Sequence, residues 1–344
     1  MTLATILGTG EYLPGSPISN DQLHEAFGLN AEWIHTTIGT QTRYFAVDLG
    51  ERKPTHTLAD MAEGAARAAL ASAGVAPGDV DVIVMSTATP DHLMPATVNV
   101  VADRLGINRI PTFQVQAGCA GAIQALQLAT SLLATGARNA LVIGADSCRK
   151  HFTFDLQARD MRSTEMINLA LFGDGAGAAV LTSRPRMKGL RIDHLFTRCE
   201  GAGRKPGQVI DWFGQQTLAP QGATPRRRQP AASEDYKAIA EHVPIMAREA
   251  LEELLSTTGW SSDGVDFYLP PQLAGHITER ICTTLGLPER GRINCVAQTG
   301  NNGNALPFLQ LLRLQQQAVA GNRSLLMAIE SSKWLKTGMA LTAV

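Results

Sequence analysis

Apolar residues along the chain form short runs that alternate with longer stretches of helical character. The runs VDVIVMS, from Val80, and NALVIGAD, from Asn139, are rich in β-branched residues. Such runs are typical of buried, largely parallel strands that are covered by helices. Residues 119–136 carry alanine, leucine and isoleucine on nearly every helical face, which predicts a helix buried on all sides. The pattern therefore favours an α/β fold.

This pattern occurs twice, and the two copies are separated by a constant offset. The segment GARNALVIGADS, from Gly136, matches GNRSLLMAIESS, from Gly321. The interval from Gly136 to Gly321 is here called the repeat offset. Val80-Asp81 matches Val265-Asp266 at the same offset, although the preceding helices, RAALASAG and REALEELLSTTG, match best with a slip of four residues. The sequence therefore predicts a tandem duplication of one α/β unit.

The duplication predicts an N-terminal half over residues 1–184 and a C-terminal half over residues 185–344. Between their patterned segments, residues 200–235 are rich in Gly, Pro, Gln and Arg and follow no sustained period, which predicts a flexible surface insertion. The insertion contains Arg226, Arg227 and Arg228. These arginines could bind a phosphate or an acidic carrier protein, but a solvated charge run is the more common situation.

Composition and charge exclude several classes of protein. The 344 residues are 44% hydrophobic and 18% charged, as in folded soluble proteins. The formal net charge of −1 argues against nucleic acid as a partner. No apolar stretch approaches the length of a membrane span, and the N-terminal segment reads as a strand rather than a signal peptide. The five cysteines lack a CxxC pair, so we expect neither disulfides nor zinc, and a cytoplasmic location.

One cysteine lies where a strand runs into the predicted buried helix. In FQVQAGCAGAIQAL, Cys119 follows Gly118 and is followed by Ala120 and Gly121, so its thiol lies at a helix N-terminus. Free backbone N–H groups and the helix dipole favour a thiolate there. Such a thiolate could attack an acyl thioester, and backbone amides would stabilise the oxyanion. The alternative is a small cysteine of the core.

Several segments share one order with a known family. They are ILGTGEYLP near the start, EWIHTTIGTQTRY from Glu32, TATPDHLMPATV from Thr87, AGCAGAIQAL, LFGDGAGAAVL from Leu171 and TGNNGNALP from Thr299. Over the whole chain the sequence resembles β-ketoacyl-acyl carrier protein synthase III and its thiolase-fold relatives. The resemblance implies two five-stranded sheet units in a five-layered αβαβα body, and a homodimer. In that fold FGDGAG is a tight turn, and it lacks the lysine of a phosphate-binding loop.

The resemblance also implies a site. Cys119 is the acylated cysteine, and Asn301 donates a hydrogen bond to the thioester carbonyl. Backbone amides of Cys119 and of Lys333, the residue nearest the family's C-terminal glycine run, form the oxyanion hole. Trp33 stacks on the adenine of coenzyme A, and Met94 reaches into the partner's acyl pocket. No metal or cofactor is implied, because the substrate is itself a thioester of coenzyme A or of acyl carrier protein phosphopantetheine.

The sequence departs from the family where the catalytic histidine should stand. In LPPQLAGHITERI that position is Pro271, which has neither a side-chain donor nor an N–H. Loss of one oxyanion donor typically costs about 10²- to 10³-fold in rate. His276 lies five residues further on, about 140° around a helix, so we expect it to face elsewhere. Sequence alone does not select a replacement base among the other histidines, which are His24, His35, His56, His92, His151, His194 and His242.

These departures favour acyl transfer without decarboxylation. Thr37 and Met166 stand where the family has arginines around coenzyme A, which favours a carrier-protein donor. We expect Cys119 to pass its acyl group to a hydroxyl or amine in polyketide-type secondary metabolism. The first alternative is carbon–carbon bond formation by a 3-oxoacyl synthase that uses another base. The second is a non-catalytic subunit of a heterodimeric synthase, against which the intact AGCAG segment argues.

Overall fold

The predicted strands and helices are present in the computed structural model, which describes residues 4–152, 154–185, 187–210 and 232–344. The strands are β1 Ala4–Tyr12, β2 Ile18–Ser19, β3 Thr42–Arg43, β4 Val82–Thr87, β5 Thr112–Gln116, β6 Asn139–Ser147, β7 Asp174–Thr182, β8 Leu190–Cys199, β9 Gln208–Ile210, β10 Ala232–Glu234, β11 Phe267–Leu269, β12 Arg323–Glu330 and β13 Leu335–Ala343. The α-helices are α1 Asn20–Phe27, α2 Ala31–Trp33, α3 Leu58–Ala73, α4 Thr97–Arg104, α5 Gly121–Ala134, α6 Ser163–Leu171, α7 Tyr236–Thr258, α8 Gly275–Thr284, α9 Val296–Thr299 and α10 Leu306–Gln317, and a π-helical turn covers Ile34–Ile38.

The long strands form one mixed sheet with two halves. Its order is β11-β12-β13-β8-β1-β7-β6-β4-β5. Strands β5, β4, β6, β7 and β1 come from the first half of the chain, and β8, β13, β12 and β11 come from the second. The halves meet where β1 pairs with β8, from Ala4↔Ile192 to Ile6↔Leu190. Strand β4 runs parallel to both β5 and β6, as its continuous apolar run predicts.

The sheet halves and helices stack in five layers. Buried residues of α5 and α10 pack between the two halves, where they contact Val84 on one side and Leu326 on the other. The neighbouring residues Ile83 and Leu325 point to the opposite faces, because side chains alternate along a strand. The outer face of the first half is covered by α3 and α4, and that of the second by α7 and α8. The predicted αβαβα architecture is therefore confirmed, but among the described residues the second half contributes four strands to the sheet rather than the predicted five.

The structure repeats at the offset found in the sequence. The first residues of β4 and β11 are separated by the repeat offset, as are those of α5 and α10. The carboxylate of Asp81 accepts a hydrogen bond from Arg138 N at 2.8 Å, and that of Asp266 accepts one from Arg323 N at 2.8 Å. Helices α3 and α7 also end at equivalent positions, each followed by a left-handed glycine. The predicted slip of four residues is wrong, because a shift of about one helical turn preserves most of an apolar pattern.

The glycine-rich segment after Phe172 is a strand rather than the predicted tight turn. The residues DGAGAAVLT form β7, which is buried along its whole length. A Cβ atom on Gly177 would come within 2.4 Å of the Phe308 side chain, and one on Gly144 of β6 within 2.2 Å of Asn304 O. These glycines allow the start of α10 to pack directly on the sheet.

The predicted boundary at 184/185 falls between Thr182, where β7 ends, and Leu190, where β8 begins. The division into two domains there stays a prediction. Both ends of the predicted insertion are ordered, because β9 and β10 pair from Ala232↔Ile210 to Glu234↔Gln208. Arg226, Arg227 and Arg228 lie outside the described residues. Within the described ranges, no helix has the length and apolar character that a membrane crossing requires.

Candidate active site

Cys119 lies in the turn that joins the sheet to the central helix. Strand β5 ends at Gln116, and the turn closes where Gly121 N donates to Gly118 O at 2.8 Å. The Cys119 side chain is half-buried and lines two of the cavities described below. The local order of strand, small residues and buried helix thus places the thiol where the sequence predicts it.

The electrostatics of the thiol differ from the sequence expectation. Burial, together with the Glu330 and Asp146 carboxylates, raises the pKa of Cys119 to about 12. Glu330 Oε2 accepts a hydrogen bond from Ala120 N at 3.3 Å, so a carboxylate already uses an amide at the start of α5. The direction of this shift is opposite to the one that the sequence predicts, because burial and two nearby carboxylates favour the neutral thiol.

A buried network fixes the position of the Cys119 turn. Asn304 Nδ2 donates to Ala117 O and to Asp146 Oδ2, both at 2.8 Å, and Ser86 Oγ donates to Asn304 Oδ1 at 2.7 Å. Asp146 Oδ2 also accepts from Asn304 N, and its Oδ1 accepts from Thr87 Oγ1, Ala88 N and Thr89 Oγ1. Burial raises the pKa of Asp146. Because Asp146 accepts hydrogen bonds from many donors, it fixes the positions of the groups around the Cys119 turn.

Asn301 shares a cavity with Cys119. This space, here called cavity A, is a partly open pocket of about 580 Å³, a volume that here and for the cavities below includes space open to solvent, and it is also lined by Leu273, Ile329 and Ser331. The Asn301 amide donates to Leu273 O at 3.0 Å and accepts from Gly303 N at 3.0 Å. One N–H of the amide group is used by Leu273, which leaves its second N–H for a ligand in the cavity.

A second space, cavity B, has a polar wall. It encloses about 480 Å³ and is lined by Cys119, Cys148, His151 and other residues. In its wall, Asn168 Nδ2 donates to Glu234 Oε2 at 3.1 Å, and Tyr236 Oη donates to Asn168 Oδ1 at 2.7 Å. Burial raises the pKa of Glu234. The two cavities together therefore offer both apolar and hydrogen-bonding surface around the thiol.

The assignment of Pro271 to the family's histidine position stays a prediction. Pro271 is buried, and its carbonyl accepts a hydrogen bond from Thr278 Oγ1 at 3.3 Å. His276 is exposed and its Nε2 pairs with His35 O at 2.8 Å, which confirms that it faces away from the site. His151 lines cavity B instead, and burial, with a smaller effect of Lys150, lowers its pKa to about 4.

Three other predicted residues lie away from the thiol. Trp33 is half-buried against the apolar cluster of the N-terminal helices, and Met94 is 87% exposed. Lys333 is exposed, and its ammonium group donates to Arg204 O. None of the three lines cavity A or cavity B. Ser331 of the turn after β12 lines cavity A, and the backbone-amide role expected of Lys333 stays a prediction.

Sequence reasoning missed Glu330 and Asn304. Glu330 was visible at the start of ESSKWLKTG, but only the backbone of that segment was considered. Asn304 was detectable through the repeat, because the repeat offset relates it to Cys119. All five cysteines are free thiols, as predicted. In the part of the chain that the structure describes, no cluster of His, Cys, Asp and Glu could hold a metal ion.

Comparison with known proteins assigns the family. Residues 113–201 match the family model of 3-oxoacyl-[acyl-carrier-protein] synthase III. The chain is 35% identical to β-ketoacyl-[acyl-carrier-protein] synthase III of Rhodospirillum centenum over 88% of this chain and 87% of that one.

Two solved structures extend the comparison. The tetronic acid condensing enzyme AbyA1 is 46% identical, with a TM-score of 0.93 over 99% of this chain and 100% of that one. The priming β-ketosynthase of the R1128 polyketide pathway is 26% identical, with a TM-score of 0.82 over 99% and 96%. Enzymes of this type need no cofactor beyond their acyl thioester substrates. The sequence, the layered fold and the cysteine at the start of the central helix thus lead to one conclusion: the chain belongs to the β-ketoacyl-acyl carrier protein synthase III family.

Proposed function

We propose that this ketosynthase III-type enzyme moves an acyl group through Cys119 to an acceptor without decarboxylating a malonyl unit. The observation that carries the proposal is that Cys119 and Asn301 line one cavity, and the sequence predicts that Pro271 stands in place of the family's histidine donor. A malonyl condensation needs that donor for the developing enolate. Acyl transfer to a nucleophile that is already activated does not.

In the first half of the proposed reaction, Cys119 Sγ attacks the thioester carbonyl carbon. The carbon–sulfur bond to the donor then breaks, and the donor thiol leaves with the proton that Cys119 loses. The negative oxygen of the intermediate lies near the backbone amide of Cys119 and the turn after β12. In this proposal the second N–H of Asn301, which lines cavity A, binds a substrate carbonyl.

The second half passes the acyl group to an oxygen or carbon nucleophile. A tetronic acid is a five-membered lactone that contains an enolised 1,3-dicarbonyl, so making one from two thioesters requires one carbon–oxygen and one carbon–carbon bond and no loss of CO₂. The 46% identity to a tetronic acid condensing enzyme favours this combination. The proposed reaction thus combines acyl transfer to a hydroxyl, which the sequence analysis expects, with carbon–carbon bond formation, which it gives as the first alternative. Both bonds would be made in polyketide-type secondary metabolism.

The donor in this proposal is an acyl carrier protein. Thr37 and Met166 stand where the family has arginines, and neither provides a positive charge for the phosphates of coenzyme A. Of the residues that the family uses to bind coenzyme A, Trp33 remains and would stack on the adenine. We further propose a cytoplasmic homodimer in which Met94 of one chain enters the cavity of the other. The exposure of Met94 and of Leu93, at 87% and 72%, supports this placement. Size-exclusion chromatography with light scattering measures the dimer directly.

Intact-protein mass spectrometry tests the function. The protein is incubated with short acyl thioesters of holo acyl carrier protein and of coenzyme A, and Cys119→Ala and Cys148→Ala are compared with the wild type. We expect an acyl adduct that Cys148→Ala retains and Cys119→Ala loses. An adduct that persists in Cys119→Ala would exclude Cys119 as the nucleophile. Absence of any adduct in the wild type would favour the non-catalytic subunit.

A further inference from the structure

The proposed reaction requires a proton acceptor, and the family's histidine is missing. Glu330 is the last residue of β12 and is 4% exposed. Its Oε2 accepts from Ala120 N at 3.3 Å, and its Oε1 accepts from Ser332 Oγ. A Cβ atom on Gly118 would come within 3.1 Å of Glu330 Cδ. The carboxylate thus lies beside the turn that carries the thiol.

The carboxylate also reaches open space. A third space, cavity C, encloses about 810 Å³ and is lined by Glu330, Ser332, Gly118 and Lys150. It shares Thr89, Gly118 and His151 with cavity B, so a ligand attached to Cys119 can approach Glu330. A glutamate that served only to cap α5 would not need access to a cavity.

We propose that Glu330 is the general base of both half-reactions, an inference that rests on the proposed acyl transfer. In the first half, the Cys119 proton moves to Glu330 as Sγ attacks the donor carbonyl, and Glu330 returns it to the departing carrier thiol. In the second half, Glu330 takes the proton of the acceptor hydroxyl or activated carbon. The acceptor attacks the acyl carbon, the bond to Cys119 Sγ breaks, and the sulfur receives the proton. The carboxylate is regenerated, and no oxidant or other reactant is required.

The neighbouring titratable groups are less suited to this role. Asp146 accepts hydrogen bonds from five donors, which occupy its lone pairs. Lys150 forms an ion pair with Asp91 Oδ1 at 2.9 Å, and an ammonium group has no lone pair with which to accept a proton. Glu330 therefore combines access to cavity C with a hydrogen bond to the residue that follows Cys119.

Two measurements on Glu330→Gln distinguish a catalytic role of residue 330 from a role in capping α5. The glutamine oxygen can still accept a hydrogen bond from Ala120 N, so the cap is retained in this variant. The first is the rate of Cys119 acylation by an acyl carrier protein thioester, followed by quenched mass spectrometry from pH 6 to 9. We expect Glu330→Gln to acylate about 10²-fold more slowly, with a rate that rises about tenfold per pH unit because only ionised thiol reacts. The second is alkylation of Cys119 by iodoacetamide. Loss of one nearby negative charge should lower the thiol pKa and speed alkylation about tenfold.

The control variant is Glu249→Gln, because Glu249 is a surface glutamate that pairs with Lys336. Glu330→Asp, which retains a carboxylate, should recover part of the acylation rate. Slower acylation together with faster alkylation would support the general base. Acylation of Glu330→Gln within threefold of the wild type, with an unchanged pH profile, would overturn it and leave the proposed function intact. A wild type that is never acylated would instead refute the proposed function.

Discussion

Asn304 occupies in the second half of the fold the position that Cys119 occupies in the first, as the repeat offset shows. Both residues stand just before a central helix, and a Cβ atom on Gly121, the first residue of α5, would come within 2.4 Å of Asn304 Oδ1. The two equivalent positions have therefore taken different roles. One carries the thiol, and the other supplies the amide that holds the thiol's turn.

Replacement of Asn304 by alanine should destabilise the protein. The change leaves Ala117 O and Ser86 Oγ without their partner and removes one donor from Asp146. Buried polar groups left unsatisfied cost about 1–3 kcal/mol each, and we expect a loss of about 2–4 kcal/mol in the free energy of unfolding. Urea denaturation measures it. A free energy of unfolding equal to that of the wild type would show that this network does not stabilise the turn.

The raised pKa of Cys119 predicts a thiol that reacts slowly at neutral pH. With a pKa of about 12, the neutral form dominates at pH 7, and the thiolate fraction grows about tenfold per pH unit. Alkylation of the Cys119 peptide by iodoacetamide should therefore rise continuously between pH 7 and 10. The peptide that contains exposed Cys199 provides an internal reference for the reagent. An alkylation rate that levels off below pH 8 would contradict the raised pKa.

Asn301→Ala should reduce acyl transfer more than it reduces substrate affinity. The variant loses an amide that lines cavity A, and oxyanion donors typically contribute about 10²- to 10³-fold to the rate. Steady-state kinetics should show the loss in kcat, with KM changed less than threefold. Because Asn301 also accepts from Gly303 N, thermal melting of the variant serves as the control for folding. An unchanged kcat would remove Asn301 from the mechanism.

The proline at position 271 predicts weak malonyl decarboxylation. Release of CO₂ from malonyl-acyl carrier protein should be at least about 10²-fold slower than in a synthase III that has the histidine. Pro271→His should increase that release, because it restores a side-chain donor to the loop after β11. Pro270→His, one position earlier, is the matched control. Rapid CO₂ release by the unmodified protein would mean that another group replaces the histidine.

The fold was predictable because its signals are local and repeated. Strands β4 and β6 are continuous apolar runs, and the repeat offset was visible in two separate windows. The glycine-rich strand β7 was mistaken for a turn, because the glycines permit close packing of α10 rather than a change of direction. The predicted slip of four residues between α3 and α7 arose because a helix rich in small apolar residues shows a similar pattern when it is shifted by one turn.

The site was predictable only in part. Cys119 was identified from its local context and Asn301 from its motif, but the protonation state of the thiol depends on burial and on Glu330, which is distant in sequence. The contact between Ala120 and Glu330 joins β12 to α5, and no pattern within either segment indicates it. The resemblance implicates only the backbone of Lys333, and the sequence does not indicate that the neighbouring Ser331 lines cavity A.

The protonated state of Cys119 also concerns chemical damage. Peroxides attack thiolates far more readily than thiols, so a permanently ionised cysteine in an open cavity would oxidise during storage and in stressed cells. A sulfur that loses its proton only while a substrate is being attacked should survive such exposure. The carboxylate of Glu330 beside Ala120 thus lowers the reactivity of the resting thiol, and we expect this to slow its oxidation.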